Sequence, residues 1–449
     1  MNTEQIQNIS IEDLLQFDSF PCECGKHHST GTKRLVVESG AIAKLPQLLR
    51  EFGITKPFLL SGKQTFAAAG DRVLQVLEHA GIPYSRYVFP ESPVLPTEHS
   101  VGSAVMHFDD SCDAVIGIGS GVMNDIGKIL ARISGRTYFI VATAPSMDGY
   151  ASATSSMERD GLKVSLDSTY ALAIIGDLDV LCQAPLHMIH AGIGDMLAKY
   201  VSLCEWQIAS LLLGEYYCPA IAQLVKVALQ RCIDAVPALA RRDPAAVKAV
   251  MDGMVITGIA MNYAGLSRPA SGMEHYFSHI WDMRGLAFGT QTDLHGIQCG
   301  IATLYCLKIY DYIRTIVPNR QKALDAAAGF SIEKWNQQLR TFIGPGADAM
   351  IRSEQKDGKY DPAKHALRLE AILANWQQIL TIVNAMPRYA DLSAFMQNAG
   401  IPVSASEFGV TGEDVRTSFT MTKDIRDKYI GSRLLWDLGL LDEAAALLP

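Results

Sequence analysis

Positive charge is in short supply in this chain. Its 449 residues carry 39 Lys+Arg against 47 Asp+Glu, a formal net charge of −8 at pH 7. That balance removes the broad cationic field that holds nucleic acid or an anionic lipid surface, and leaves room only for local basic pockets. No run reads as the roughly 20 apolar residues a membrane helix needs, so no membrane insertion is expected. The opening stretch, MNTEQIQNISIEDLLQFDSF, has neither the basic start nor the apolar core of a secretory signal. Nine cysteines, odd in number and scattered, do not form a disulfide framework and suit a reducing, cytoplasmic setting. Internal repeats and low-complexity segments are also missing. What is present is a chain 49% hydrophobic, with length for two or three domains at roughly 100–200 residues each.

The first 180 or so residues alternate β-rich runs with helical stretches. Phe58–Leu60, Tyr84–Phe89, Cys112–Ile118 and Thr137–Ala142 read as strands, and Asp71–Ala80 and Asn124–Ile133 as helices. The third run is apolar on both faces, as parallel strands tend to be. This rhythm predicts a doubly wound, Rossmann-like nucleotide-binding sheet. Between Ser152 and Asp179, the turn Arg159-Asp160-Gly161 predicts a hairpin. From Ala184 onward strand signals give way to long helical periodicities, including Ile193–Leu213, Met273–Ala287 and His295–Ile316. Two domains are therefore expected: an α/β domain over 1–184 and an all-α domain over 185–449, the latter read as one unit.

Two loops stand at the carboxyl ends of expected strands, where open α/β sheets bind ligands. In Gly117-Ile118-Gly119-Ser120-Gly121-Val122-Met123-Asn124-Asp125 the glycines let backbone N–H groups approach a pyrophosphate, and the following helix N-terminus favours its charge. The spacing is not G-x-G-x-x-G, so the segment alone also reads as a tight strand-to-helix turn. Asp125 is placed to brace the loop or to complement the helix dipole. In the second loop, Thr143-Ala144-Pro145-Ser146-Met147-Asp148-Gly149, hydroxyls suit ribose, nicotinamide or phosphate, or simply a side-chain-capped turn.

Farther on, Asp195 and Lys199 share a helix face, which by itself describes an ordinary ion pair. His275 and His279 lie four apart on another helix, and His295 opens a third. One acid with two imidazoles is an oxygen/nitrogen donor set that suits Zn²⁺, Ni²⁺ or Fe²⁺ with a position left for substrate. Just before the His275 helix, Ser267-Arg268-Pro269-Ala270-Ser271-Gly272 offers a guanidinium fork and free N-terminal N–H groups to an anion, or an ordinary helix cap.

Together and in this order, the motifs resemble the sn-glycerol-1-phosphate dehydrogenases, especially the bacterial branch. These belong to the iron-containing alcohol dehydrogenase and dehydroquinate synthase-like superfamily. The resemblance runs from about Cys22 to beyond Leu304, and residues past about Ile316 match no family motif. It implies a two-domain dehydroquinate synthase-like fold and reversible, NAD(P)H-linked reduction of dihydroxyacetone phosphate to sn-glycerol 1-phosphate by a divalent-metal enzyme. Residue by residue, it places Gly119, Ser120, Gly121, Asp125, Thr143, Ser146 and Ser152 at the cofactor. It places Asp195, His275 and His295 on the metal, with His279 near substrate and not a ligand. Lys199, Arg268 and Ser271 are expected toward the substrate phosphate, and Asp148 or His279 at the C1 hydroxyl or in proton relay. Ser120 departs from the family's all-glycine loop. No acid follows the first strand in Ser61-Gly62-Lys63-Gln64-Thr65, and Lys63 suits a 2′-phosphate, so NADP is expected to serve at least as well as NAD. The rivals are glycerol dehydrogenase, a dehydroquinate synthase-like lyase and a non-catalytic nucleotide-binding regulator. The helical half makes a homodimer the expected assembly. Cys22-Glu23-Cys24-Gly25-Lys26-His27-His28 has soft-metal ligands but no second cysteine pair near it, and reads as a structural segment.

Overall fold

The computed structural model describes residues 11–16, 20–159 and 162–449. By its contacts the chain forms two units: Met1–Met196 with Pro219–Ser267, and Leu197–Cys218 with Arg268–Pro449.

The first unit is built on a six-stranded sheet. A short hairpin pairs β1 (Phe20–Pro21) with β2 (His27–His28), and the sheet then takes β3 (Arg34–Glu38), β4 (Pro57–Gly62), β5 (Ser85–Phe89), β6 (Ala114–Gly119) and β7 (Thr137–Ala142). The antiparallel hairpin of β8 (Thr154–Arg159) and β9 (Leu162–Asp167) follows, its turn residues Asp160 and Gly161 lying outside the described residues. Then β10 (Ala171–Asp177) returns to the sheet. The order is β3-β10-β7-β6-β4-β5 and all five pairings are parallel. Every residue of β4 and β6 is buried, which is why these strands read as unbroken apolar runs. Leu59, Ile116, Ile118, Phe139 and Val141 pack with Leu45, Leu49, Val73 and Leu77 from the flanking helices. Each such side chain contributes about 1.5–3 kcal/mol on full burial. β3 and β10 carried no clear sequence signal.

Topology locates the productive edge. After β4 the chain runs outward to β5, and after β6 it runs the other way to β7. The connections leaving β4 and β6 therefore diverge, and a crevice opens between them at the carboxyl ends.

Two expectations about this unit are corrected. The break does not fall once at residue 184: helices Pro219–Leu239 and Pro244–Ala264 belong to the sheet-bearing unit, because Pro244–Ala264 packs on β2 and β3. That same helix is long and apolar enough to cross a membrane, with a mean hydropathy of 1.3, although no such run was expected. Two thirds of it is buried inside the protein, so its apolarity is that of a core helix.

The second unit is helical. Lys199–Leu213, Met273–Phe288 and His295–Ile313 pack on one another, and the two long periodicities read from sequence reappear with their starts unchanged. The expected helix Ile193–Leu213 is instead two, Leu186–Leu197 and Lys199–Leu213. Phe277 anchors this core, its ring 5.6 Å from Trp281, 6.1 Å from Tyr305 and 6.4 Å from Phe419.

Candidate functional site

In the first unit a cavity of about 470 Å³ occupies the crevice at the sheet edge. Gly62–Thr65 after β4, Ser120 after β6 and Thr143 after β7 line it, with Arg72, Glu91, Val122, Met123, Asp179 and Met188. The helix Gly121–Ser134 starts here with Ser120 as its N-cap and no side-chain cap, so its first N–H groups are available to an anion. Close packing explains the glycine at 119: a Cβ there would lie 2.5 Å from Met123 Cγ. Lys63 and Arg72 bring two cations to the same cavity, the second without any motif to announce it.

The second loop is fixed rather than open. Lys128, wholly buried, donates from Nζ to Gly149 O at 3.2 Å, Ser152 Oγ at 3.3 Å and Thr154 O at 2.5 Å. Asn124 Nδ2 adds a bond to Gly149 O at 3.1 Å, and Tyr150 OH donates to Ala144 O at 2.7 Å. Two helices press on this loop through glycines. A Cβ on Gly192 would lie 2.1 Å from Pro145 O, and one on Gly258 2.9 Å from Asp148 O. Asp195, wholly buried one turn after Gly192, accepts the Asp148 N–H at 2.9 Å.

Two cofactor-side expectations change here. Asp125 turns its carboxylate to Lys128, 3.3 Å away, and burial raises its pKa while Lys128 opposes the rise. Ser152 spends its hydroxyl on Gly149 O at 3.1 Å and Thr154 O at 3.1 Å, so it holds the loop and not a ligand. Ser146 is buried, its N–H bonded to Ala144 O at 3.1 Å, and is not among the residues lining the cavity.

In the second unit the helices Met273–Phe288 and His295–Ile313 bring His275 and His295 together, ring centroids 5.0 Å apart. Glu274 Oε1 accepts from His275 Nδ1 at 2.8 Å, and Ser278 Oγ meets His295 Nδ1 at 3.0 Å. Both Nδ1 atoms are thus held by neighbours, the arrangement by which metal-binding imidazoles are oriented. Cys299 Sγ lies 3.6 Å from His295 Nε2, and the ligand atoms of His275, His295 and Cys299 fall within 4.8 Å of one another. The donor set fits a divalent ion. His279, one turn beyond His275, has its ring centroid 6.3 Å from that of His295. Sequence reasoning missed Glu274 and Cys299, although both sit beside histidines it had singled out.

The expected phosphate site before this helix is not there. Arg268 gives Nε and Nη2 to Glu215 at 2.9 and 2.7 Å and Nη1 to Tyr429 O at 2.9 Å, which satisfies its fork within the protein. The helix N-terminus is capped at Gly272, not Ser271, and its N–H groups are already taken: Gly272 N by Glu274 Oε1 at 2.7 Å and Met273 N by Glu205 Oε2 at 2.8 Å. Burial raises the pKa of both carboxyls. Ser271 O accepts from Lys428, and Lys199, wholly buried, donates from Nζ to Ala270 O at 3.1 Å. Lys199, Arg268 and Ser271 therefore build this turn instead of presenting it to an anion.

Comparison with known proteins accords with both halves. Residues 36–185 match the family "Iron-containing alcohol dehydrogenase". A glycerol-1-phosphate dehydrogenase [NAD(P)+] of Halalkalibacterium halodurans is 34% identical over 393 residues, 87% of this chain and 88% of the relative. Another from Bacillus licheniformis is 28% identical over 94% of this chain and 93% of its own length. Similarity thus runs well past the two thirds that the motifs covered. A glycerol dehydrogenase structure from Schizosaccharomyces pombe shares the fold, with a TM-score of 0.59 at 16% identity over 92% of this chain and 90% of that one. The chain belongs to the glycerol-1-phosphate dehydrogenase family.

Proposed function

We propose that this protein is a divalent-metal, NAD(P)H-linked oxidoreductase that interconverts dihydroxyacetone phosphate and sn-glycerol 1-phosphate. The observation that carries the reading is the pair His275 and His295, each with Nδ1 held by a neighbour and their ligand atoms within 4.8 Å of each other, in a chain whose relatives carry that activity in their names. Asp195 is the third ligand in this proposal. When bound, the ion polarises the ketone oxygen and the nicotinamide supplies the hydride.

The protein's own groups do the rest. Backbone N–H groups of Gly119–Gly121 hold the pyrophosphate, with Ser120 and Thr143 on the cavity wall. Lys63 and Arg72 favour a 2′-phosphate, so NADPH serves at least as well as NADH. Asp148 or His279 orders the C1 hydroxyl or relays the proton to the product alkoxide. The preference for a phosphorylated substrate over free glycerol rests on the named relatives, since the loop at Arg268 no longer argues for it. A homodimer in the cytoplasm completes the proposal; nine cysteines without a disulfide match a reducing compartment.

The test is turnover of dihydroxyacetone phosphate and of glycerol by purified protein, before and after exhaustive chelation and after adding back Zn²⁺, Ni²⁺ or Fe²⁺. Turnover of the phosphate ester that is lost on chelation and restored by one ion supports the reading. Turnover that survives chelation removes the metal, and activity on glycerol alone makes the protein a glycerol dehydrogenase.

A further inference from the structure

The proposed reaction takes two imidazoles from the helical unit and gives no part to the thiol beside them. Cys299 follows His295 by four residues on the helix His295–Ile313, which puts the two side chains one turn apart on the same face. Its Sγ lies 3.6 Å from His295 Nε2 and 3.9 Å from Nδ1, so it sits toward the outer nitrogen of the ring. The thiol is wholly buried. His275 comes from the adjacent helix Met273–Phe288, and the ligand atoms of His275, His295 and Cys299 fall within 4.8 Å of one another. All three residues belong to one unit of the chain.

The spacing of the donors has a chemical meaning. A nitrogen about 2.0 Å and a sulfur about 2.3 Å from one zinc ion, at the tetrahedral angle, stand about 3.5 Å apart. The 3.6 Å between His295 Nε2 and Cys299 Sγ matches that separation.

The three groups are also held in place by their surroundings. Glu274 Oε1 fixes His275 Nδ1 at 2.8 Å and Ser278 Oγ fixes His295 Nδ1 at 3.0 Å. Thr303 Oγ1 donates to Cys299 O at 2.8 Å, one turn farther along the same helix. Donors oriented by neighbours before any ion arrives are the mark of a built ligand set.

We infer that Cys299 is a thiolate ligand of the ion held by His275 and His295, and that this ion is Zn²⁺. The inference rests on the reading of those two histidines as ligands and adds sulfur to their set. Of Zn²⁺, Ni²⁺ and Fe²⁺, zinc is the one that suits both an imidazole and a single thiolate, since iron takes thiolates chiefly in clusters. The thiol proton leaves as the ion binds. Substrate enters as an added ligand, an expansion that zinc allows in catalytic sites.

The experiment uses the full chain, chelated and then reloaded with one equivalent of Zn²⁺ or Co²⁺. X-ray absorption at the zinc edge is expected to show one sulfur neighbour near about 2.3 Å among nitrogen and oxygen. The cobalt form is expected to give a thiolate-to-metal absorption band that Cys299→Ser abolishes and Cys24→Ser leaves in place. Cys299→Ser is also expected to weaken zinc binding by no less than the roughly 10–100-fold that loss of an outer partner costs. The sulfur neighbour in the Cys24→Ser protein decides the matter even if Cys299→Ser fails to fold. One equivalent of zinc that restores turnover with only nitrogen and oxygen around it would overturn the inference and leave the proposed function standing. So would a cobalt band lost in Cys24→Ser and kept in Cys299→Ser. Turnover by protein that binds no ion would remove the metal from the proposed function and this inference with it.

Discussion

Glu274 is placed to act through its neighbour. It shares one carboxylate oxygen between Gly272 N and His275 Nδ1, so it sets both the helix start and the direction of an imidazole. Glu274→Ala is expected to raise the metal concentration needed for half-maximal turnover by about 10–100-fold, read by titrating chelated enzyme with the restoring ion. At the cofactor cavity, Lys63→Ala is expected to raise KM for NADPH about tenfold while leaving KM for NADH nearly unchanged, the value of one charge-assisted phosphate contact. A lower KM for NADH than for NADPH in the wild type, with that ratio unmoved by Lys63→Ala, would remove the assigned role.

Lys423 supplies the pH test at this scale. Its ammonium is wholly buried, 2.8 Å from Asp424 Oδ2 and 3.3 Å from the Trp335 ring centroid. Burial pulls its pKa down to about 8, against the pull of Asp424. Above that value the folded lysine is neutral, while the unfolded chain keeps its proton to about pH 10.4. The unfolded state binds more protons across this window, so the contribution of Lys423 to stability rises with pH there. Lys423→Met leaves Asp424 buried without its nearest cation and is expected to cost about 3–5 kcal/mol. In urea denaturation the gap between wild type and variant should be wider at pH 10 than at pH 8; a gap independent of pH would contradict the assignment.

Among the elements, the second loop is the one most closely determined by its neighbours. The helices Leu186–Leu197 and Pro244–Ala264 reach it only because Gly192 and Gly258 have no side chain. Gly192→Ala would drive a methyl into Pro145 O, a backbone atom that cannot turn aside, and is expected to cost about 1–3 kcal/mol. Since Asp195 and Asp148 lie on either side of that contact, kcat should fall as well; a variant of wild-type Tm and kcat would show the approach to be looser than drawn.

For the whole molecule, legibility followed sequence distance. β7 was read to the residue and β4, β6 and the helix after β6 to within a few, since a buried parallel strand and a glycine-rich turn write themselves locally. His275 and His295 were legible because helical spacing and residue type suffice to suggest a ligand. The phosphate reading at Arg268 failed because its partner, Glu215, lies more than fifty positions earlier, and a guanidinium looks the same whether or not a carboxylate has already taken it. Ser152 and Asp125 failed for a similar reason: Lys128 organises the loop from beneath, and a buried lysine leaves no trace in composition. The division of units was likewise invisible, since it depends on where helix Pro219–Leu239 packs.

The stereochemistry of the product tests the central claim most directly. Purified protein is supplied with dihydroxyacetone phosphate, NADPH and the restoring ion, and the glycerol phosphate formed is analysed on a chiral support and with an sn-3-specific dehydrogenase. A single product, sn-glycerol 1-phosphate, that the sn-3 enzyme does not oxidise is the predicted result. Formation of the sn-3 isomer, or no glycerol phosphate at all under conditions where free dihydroxyacetone is reduced to glycerol, would contradict it.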